Sequence, residues 1–331
     1  MADETFDLTR RPRRLRQSEN IRSLVRETQL TTDDMIMPVF VTDEDDVRRE
    51  IPSMPNIYQY SIDEVDRELD ALLEGGISRV LLFGIPADER KDEVGSDTFA
   101  DAGVIQRSLQ HIKSNYGDEL LVMTDVCFCE YTSHGHCGVV DDEGRLLNDP
   151  TLANLQKQVV SHAKAGADVV APSGMIDGMV GAIRGALDAE GFHDVPVMSY
   201  AVKYASAFYG PFRDAVETES DFDHRRRYQM DPPNLREAMV EARLDVAEGA
   251  DILMVKPALA YMDVIRRVRE HFDLPVACYN VSGEYALVHA AADRNWIDRR
   301  EVALEKLTSM KRAGADIIIT YFARAAADWL A

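Results

Sequence analysis

The chain has 331 residues, with 37 Lys+Arg against 58 Asp+Glu, for a formal net charge of −21. Hydrophobic residues make up 46%, enough for a packed core and too many for a disordered chain. The charge argues against nucleic acid and against an anionic membrane as partners, and no apolar run approaches the roughly 20 residues of a membrane span. Only eight of the basic residues are Lys. An acidic, Lys-poor surface suits a salt-rich cytoplasm, where screening removes self-repulsion. The N-terminus, MADETFDLTRRPRRLRQ, lacks the apolar stretch of a secretory signal, so a cytoplasmic protein is expected. Four Cys at this length do not make a disulfide framework.

Residues 1–34 form an Arg-rich arm with little apolar surface of its own, the kind of segment that packs on a neighbour. From 35 to 331, short apolar runs alternate with longer segments of helical period. The runs are 35–41, 79–85, 120–127, 168–172, 195–203, 252–256, 275–281 and 316–322. They are rich in Val, Ile and Leu, as strands buried on both faces are. Ser61 reads as the N-cap of a helix, with Glu64 at the capping-box position and Gly75 closing it. Asp149 or Thr151 opens a helix that ends at Gly166; 232–249 and 262–272 are further helices. The tripeptide Gly-Ala-Asp recurs at 166, 249 and 314, each time between a helix and a strand. Eight alternations predict a (β/α)8 barrel, and no GxGxxG or GxxxxGK[ST] favours a nucleotide-binding sheet.

In such a barrel the chemistry sits at strand C-termini. Lys203 closes the run VPVMSYAVK and Lys256 closes DILMVK. Burial and a second nearby cation both lower an amine's pKa, producing a nucleophile for carbonyl carbon. The third run leads into Asp125-Val-Cys127-Phe-Cys129-Glu-Tyr-Thr-Ser-His134-Gly-His136-Cys137. Three soft thiolates suit Zn²⁺, with the fourth position left to water or substrate, or closed by His134 or His136. Cys278 falls inside a strand and reads as core. The long stretch from Lys203 to Pro232 reads as a lid loop. Its Arg213 and Arg225 are suited to substrate carboxylates, and Ser282 and Tyr321 offer hydroxyls at the same mouth. The residues read as a zinc-assisted Schiff-base enzyme for small keto acids. An aldolase of the same fold needs one Lys and no thiolate loop; a non-catalytic zinc scaffold leaves the strand-end lysines unexplained.

The segments DVCFCEYTSHGHCG, MSYAVKYASAFYGPFRDA, RRRYQM, EGADILMVKPALAYMD, CYNVSGEY and RAGADIIITYF occur in this order, and with them the chain resembles the porphobilinogen synthase (δ-aminolevulinic acid dehydratase) family over nearly its full length. The resemblance implies a hydro-lyase that condenses two 5-aminolevulinate molecules to porphobilinogen, in tetrapyrrole and heme biosynthesis. It implies Schiff bases on Lys203, for the substrate that becomes the propionate side, and on Lys256, for the other. It implies that Arg213, Arg225 and Gln229 secure the Lys256 substrate, that Ser282 and Tyr321 bind the carboxylate of the Lys203 substrate, that Tyr209 and Phe212 form pocket wall or lid, and that Asp125 meets a substrate amine. Cys127, Cys129 and Cys137 place the chain with the zinc-using members. Glu241 falls where many members hold an allosteric Mg²⁺. A homo-octamer is implied, with the arm wrapped round a neighbouring barrel. One departure stands out. The family commonly has APSDMMDGR after the fourth run; here Gly174 and Met179 stand in place of the Asp and the Arg.

Overall fold

Ten strands run through the structure, a computed structural model that describes residues 9–216 and 225–331. They are β1 (Met35–Thr42), β2 (Arg48–Glu50), β3 (Tyr58–Ser61), β4 (Arg79–Ile85), β5 (Leu121–Val126), β6 (Val169–Pro172), β7 (Met198–Lys203), β8 (Ile252–Lys256), β9 (Val276–Asn280) and β10 (Ile317–Thr320). Eight of them pair in parallel in the order β6-β5-β4-β1-β10-β9-β8-β7. A parallel bridge between Val170 and Val197 brings the two ends together. With helices between the strands, this is the expected (β/α)8 barrel. Each of the eight predicted runs meets one barrel strand: 79–85 and 252–256 coincide with β4 and β8, β1 runs one residue past 41, and the other five are trimmed where polar or Pro flanks leave the ladder. β2 and β3 form an antiparallel hairpin that the sequence reading lacked. β10 pairs with β1 only at Met35 and Ile36, and β3 lies beside Phe40–Thr42 instead.

The recurrent Gly-Ala-Asp is a joint with one construction. Gly166, Gly249 and Gly314 have φ of 107°, 105° and 122°, a region that L side chains avoid. The stem of a basic residue, Lys113, Arg184 or Arg269 in turn, crosses where a Cβ would stand. The following Asp then accepts the backbone N–H at or near the start of the neighbouring strand: Asp168 from Val122 at 2.7 Å, Asp251 from Val197 at 2.8 Å, Asp316 from Val276 at 2.9 Å. A charged side chain thereby holds the register at the N-terminal end of the barrel, opposite the end that carries the lysines.

Two local expectations are corrected. Ser61 does not cap a helix: its hydroxyl accepts Val47 N–H at 2.8 Å within the hairpin, and the helix starts only at Asp66. Gly75 does close that helix as its C-cap, with a right-handed φ of −78°, and the left-handed residue is Gly76, one further on. The stretch after Lys203 is not all loop either. It contains a 3-10 turn at Ala207–Tyr209 and a helix at Gly210–Val216, while 217–224 lie outside the described residues. Residues 9–30 of the arm are mostly exposed.

Candidate active site

β7 and β8 position the two lysines on one rung. Met198 and Ser199 pair with Ile252 and Leu253, but Val202 and Lys203 pair with Val255 and Lys256, so β7 holds one extra residue between them. This bulge shifts the register by one, and a shift of one exchanges the two faces of a strand. With it, Lys203 stands directly beside Lys256, at the spacing of adjacent strands, about 4.8 Å between backbones. Tyr204 N–H and the Tyr209 hydroxyl donate to the Lys256 carbonyl, at 2.9 and 3.4 Å, and fix the end of β8.

Both ammonium groups are buried. Lys203 Nζ donates to the carbonyl of Ser173. Lys256 Nζ lies 4.2 Å from the ring centre of Tyr279, 5.0 Å from Tyr200, and 5.3 Å from both Tyr209 and Phe212. Four π faces favour its cationic form. Burial and then the charge of Lys203 outweigh them, with Asp125 opposing, and lower Lys256 from 10.5 to about 7. Asp125, at the end of β5, accepts the Ser173 hydroxyl at 3.0 Å. Burial raises its carboxyl; Lys256 and Lys203 hold it back. Glu130 is buried close by and raised to about 7, by burial first and the charge of Asp125 second. One oxygen of each, Asp125 Oδ1 and Glu130 Oε1, is buried without a hydrogen-bond partner among the described residues.

The three cysteines converge as expected. The sulfurs of Cys127, Cys129 and Cys137 all lie within 4.8 Å of one another, with 3.4 Å between Cys127 and Cys129. Thiolates on one tetrahedral Zn²⁺ sit about 3.8 Å apart, from Zn–S near 2.3 Å, so the donor set fits the ion. Hydrogen bonds from Cys127 and Cys129 hold the Cys137 thiol well below its ordinary value, and Arg225 adds to this. Neither histidine joins the group. His134 Nε2 faces the Glu93 carbonyl at 3.1 Å and Nδ1 accepts His136 N–H at 3.1 Å. Cys278 is core, its thiol pushed up by burial.

Arg225 and Gln229 are buried over the site. Met230 N–H donates to the Lys203 carbonyl at 3.1 Å and Ala205 N–H to the Met230 carbonyl at 2.8 Å, tying this segment to the end of β7. Arg225 Nη2 reaches Gly135 O in the cysteine loop at 3.0 Å. Asp125, Cys129, Lys203, Tyr209, Phe212, Arg225, Gln229 and Lys256 line one cavity, joined by Phe83, Glu130 and Ser173. The sequence reading missed these last three. Glu130 was within reach, as the neighbour of Cys129; Phe83 and Ser173 enter only through the closure of the barrel. Phe212, which also lines the cavity, packs 5.3 Å from Phe83 and 6.0 Å from Phe40 by ring centres. The space left inside is ≈ 20 Å³, about one water.

Three expected contacts stand outside that cavity. Ser282 donates to Phe208 O at 3.4 Å. Tyr321 meets the Tyr279 hydroxyl at 3.1 Å, and so reaches the Lys256 cage through Tyr279. Arg213 sits half-buried on the Gly210–Val216 helix, lowered by burial and then by the charge of Arg225. Larger cavities lie away from the lysines. One of ≈ 410 Å³ runs beside Tyr58, Arg324 and Trp329, and one of ≈ 530 Å³ is lined by Asp177, Glu237 and Glu241. Size does not select the site here; the nucleophiles do. Glu241 is raised by burial and by Asp177, Glu237 and Glu248, but no group of three preformed metal donors includes it among the described residues.

Paired buried amines beside a carboxylate and three gathered thiols, at the C-terminal end of a parallel barrel, define a class of enzyme equipped for carbonyl chemistry next to a soft metal ion. Residues 9–329 match the family model for delta-aminolevulinic acid dehydratase, and the chain belongs to that family. The delta-aminolevulinic acid dehydratase of Synechococcus elongatus is 57% identical, over 98% of this chain and 99% of that one. That of Halalkalibacterium halodurans is 56% identical, over 98% of each. The Toxoplasma gondii ME49 enzyme (porphobilinogen synthase), solved with its reaction product porphobilinogen, superposes with a TM-score of 0.95 at 43% identity, over 98% of this chain and 92% of that one.

Proposed function

We propose that the chain condenses two molecules of 5-aminolevulinate to porphobilinogen with loss of two waters, through Schiff bases on Lys203 and Lys256, in heme biosynthesis. The observation that carries this is the single rung: two buried amines held side by side, one of them lowered to about 7. Each amine attacks a ketone carbon, forms the carbon–nitrogen bond and expels the carbonyl oxygen as water. Lys203 holds the substrate of the propionate side and Lys256 the other. Asp125 and Glu130 present carboxylate oxygens that a substrate ammonium can fill. Arg225, Gln229 and Arg213 meet the carboxylate of the Lys256 substrate, and Ser282 and Tyr321 that of the Lys203 substrate. A space of ≈ 20 Å³ admits neither molecule, so Phe212 and its helix must swing out for entry and return to exclude water.

Cys127, Cys129 and Cys137 hold Zn²⁺ on this reading; when bound, the ion supplies a Lewis acid beside the Lys256 substrate. Glu241, with Asp177 and Glu237 near it, is the candidate carboxylate for an allosteric Mg²⁺. The arm supports a homo-octamer: Leu15, Leu24 and Val25 are 54, 83 and 44% exposed, apolar surface that a neighbouring barrel can cover. The placement is a cytoplasm rich in salt; no helix among the described residues is long and apolar enough to cross a membrane. The test is porphobilinogen formation from 5-aminolevulinate in high and low salt, with and without a zinc chelator. Loss with chelator and return with Zn²⁺ is expected; folded protein that forms no product at any salt overturns the reading.

A further inference from the structure

Glu284 has no part in the chemistry above, yet its carboxylate is fully buried at the catalytic end of the barrel. It stands third in the helix Ser282–Ala292 and accepts the Val281 N–H at 3.1 Å, as an acidic residue in a first helical turn does. That bond uses one acceptor position. The same carboxylate accepts Leu259 N–H at 2.7 Å, in the turn three residues beyond Lys256, and Asn280 Nδ2 at 2.9 Å, at the end of β9. Asn280 Oδ1 in turn accepts the Thr320 hydroxyl at 3.0 Å, at the end of β10. Thr320 accepts Phe322 N–H at 3.1 Å, which brackets Tyr321. Burial raises the carboxyl, and these donors with Lys306 pull against it; Lys306 Nζ donates to the Glu284 carbonyl at 3.0 Å. A capping bond alone would not require a buried charge with two further donors, one of them from a separate segment.

We infer that Glu284 is a positioning residue for Lys256: one carboxylate ties the turn after β8 to the ends of β9 and β10 and so sets where the Lys256 amine stands. This rests on the Schiff-base reading. The β7 bulge places both lysines, but beyond it Lys203 is held by Ser173 O and by the Met230 segment, neither of which is hydrogen-bonded to Glu284. The two lysines therefore respond differently. A carboxamide at 284 keeps the shape but turns one acceptor into a donor facing a backbone N–H.

The test is borohydride trapping of 5-aminolevulinate on full-length protein, with each lysine read by peptide mass spectrometry. At saturating 5-aminolevulinate, where a weaker hold by Ser282 or Tyr321 on the Lys203 substrate does not enter the rate, trapping at Lys256 in Glu284→Gln is expected to slow by about ten- to a hundred-fold, the scale of a misplaced reacting group, while trapping at Lys203 is unchanged. Equal slowing at both lysines, or at neither, overturns the inference, because a merely structural role does not choose between them. If Glu284→Gln does not fold, Glu284→Asp keeps the charge but draws the carboxylate back from Leu259 N–H, and the same asymmetry is expected at smaller amplitude. Wild-type protein that traps at neither lysine overturns the Schiff-base reading itself, a result distinct from any the variant can give.

Discussion

An amine lowered from 10.5 to about 7 makes the fold less stable at neutral pH, and the cost can be measured on Lys256. At about 1.4 kcal/mol per pKa unit the full figure is about 5 kcal/mol. The sign follows from proton binding. Between about 7 and 10.5 the unfolded chain carries the proton and the native lysine does not, so this group's contribution rises with pH across that window. Below about 7 both forms are charged and the penalty is constant. Lys256→Met removes it, so the variant is expected to be more stable than the wild type at pH 7. The gain falls short of 5 kcal/mol, because Asp125 loses a countercharge. The assay is equilibrium denaturant unfolding of both proteins from pH 7 to pH 10 at one protein concentration. Subtracting the curves cancels the groups that titrate alike in both. The difference should shrink by about 1.4 kcal/mol per pH unit. A difference independent of pH refutes the argument, since a plain packing change does not titrate.

The same window governs the chemistry: borohydride trapping at Lys256 should fall about ten-fold per pH unit below 7. Lys203→Met removes the second cause of the lowering and should move that midpoint upward; an unmoved midpoint would separate the two amines electrostatically. Cobalt bound in place of zinc should show thiolate-to-metal charge-transfer absorption, which Cys129→Ala should weaken; an unchanged band would put the metal elsewhere. Gly283→Ala sets a Cβ 2.4 Å from Phe208 O, in the turn that leads to the Phe212 helix. It should cost about 1–3 kcal/mol, read as a lower denaturation midpoint, and an unaltered midpoint would show that the turn yields freely.

Strand order and the catalytic end were legible because both rest on local pattern. Buried parallel strands need apolar runs, their connections need helices, and the runs that end in Lys203 and Lys256 announce themselves in a Lys-poor chain. The thiolate loop was legible for a similar reason, three soft donors within eleven residues. Hairpin β2–β3 was not, since its three-residue outer strand is fully exposed and carries no apolar alternation. Ser61 misled because a capping sequence says nothing of a competing partner; Val47 took the hydroxyl first.

By itself the sequence determined the barrel, its family and the residue types at its mouth, because periodicity, composition and motif are properties of neighbours in the chain. Only the tertiary structure decided which of those residues meet. The extra residue in β7 is invisible until β8 lies beside it, and it alone puts Lys203 and Lys256 on one rung. The aromatic cage of Lys256 comes from three separate segments, and burial within it, beside a second cation, is what lowers the amine. Proton affinity depends on surroundings through space, and those surroundings exist only once the barrel has closed.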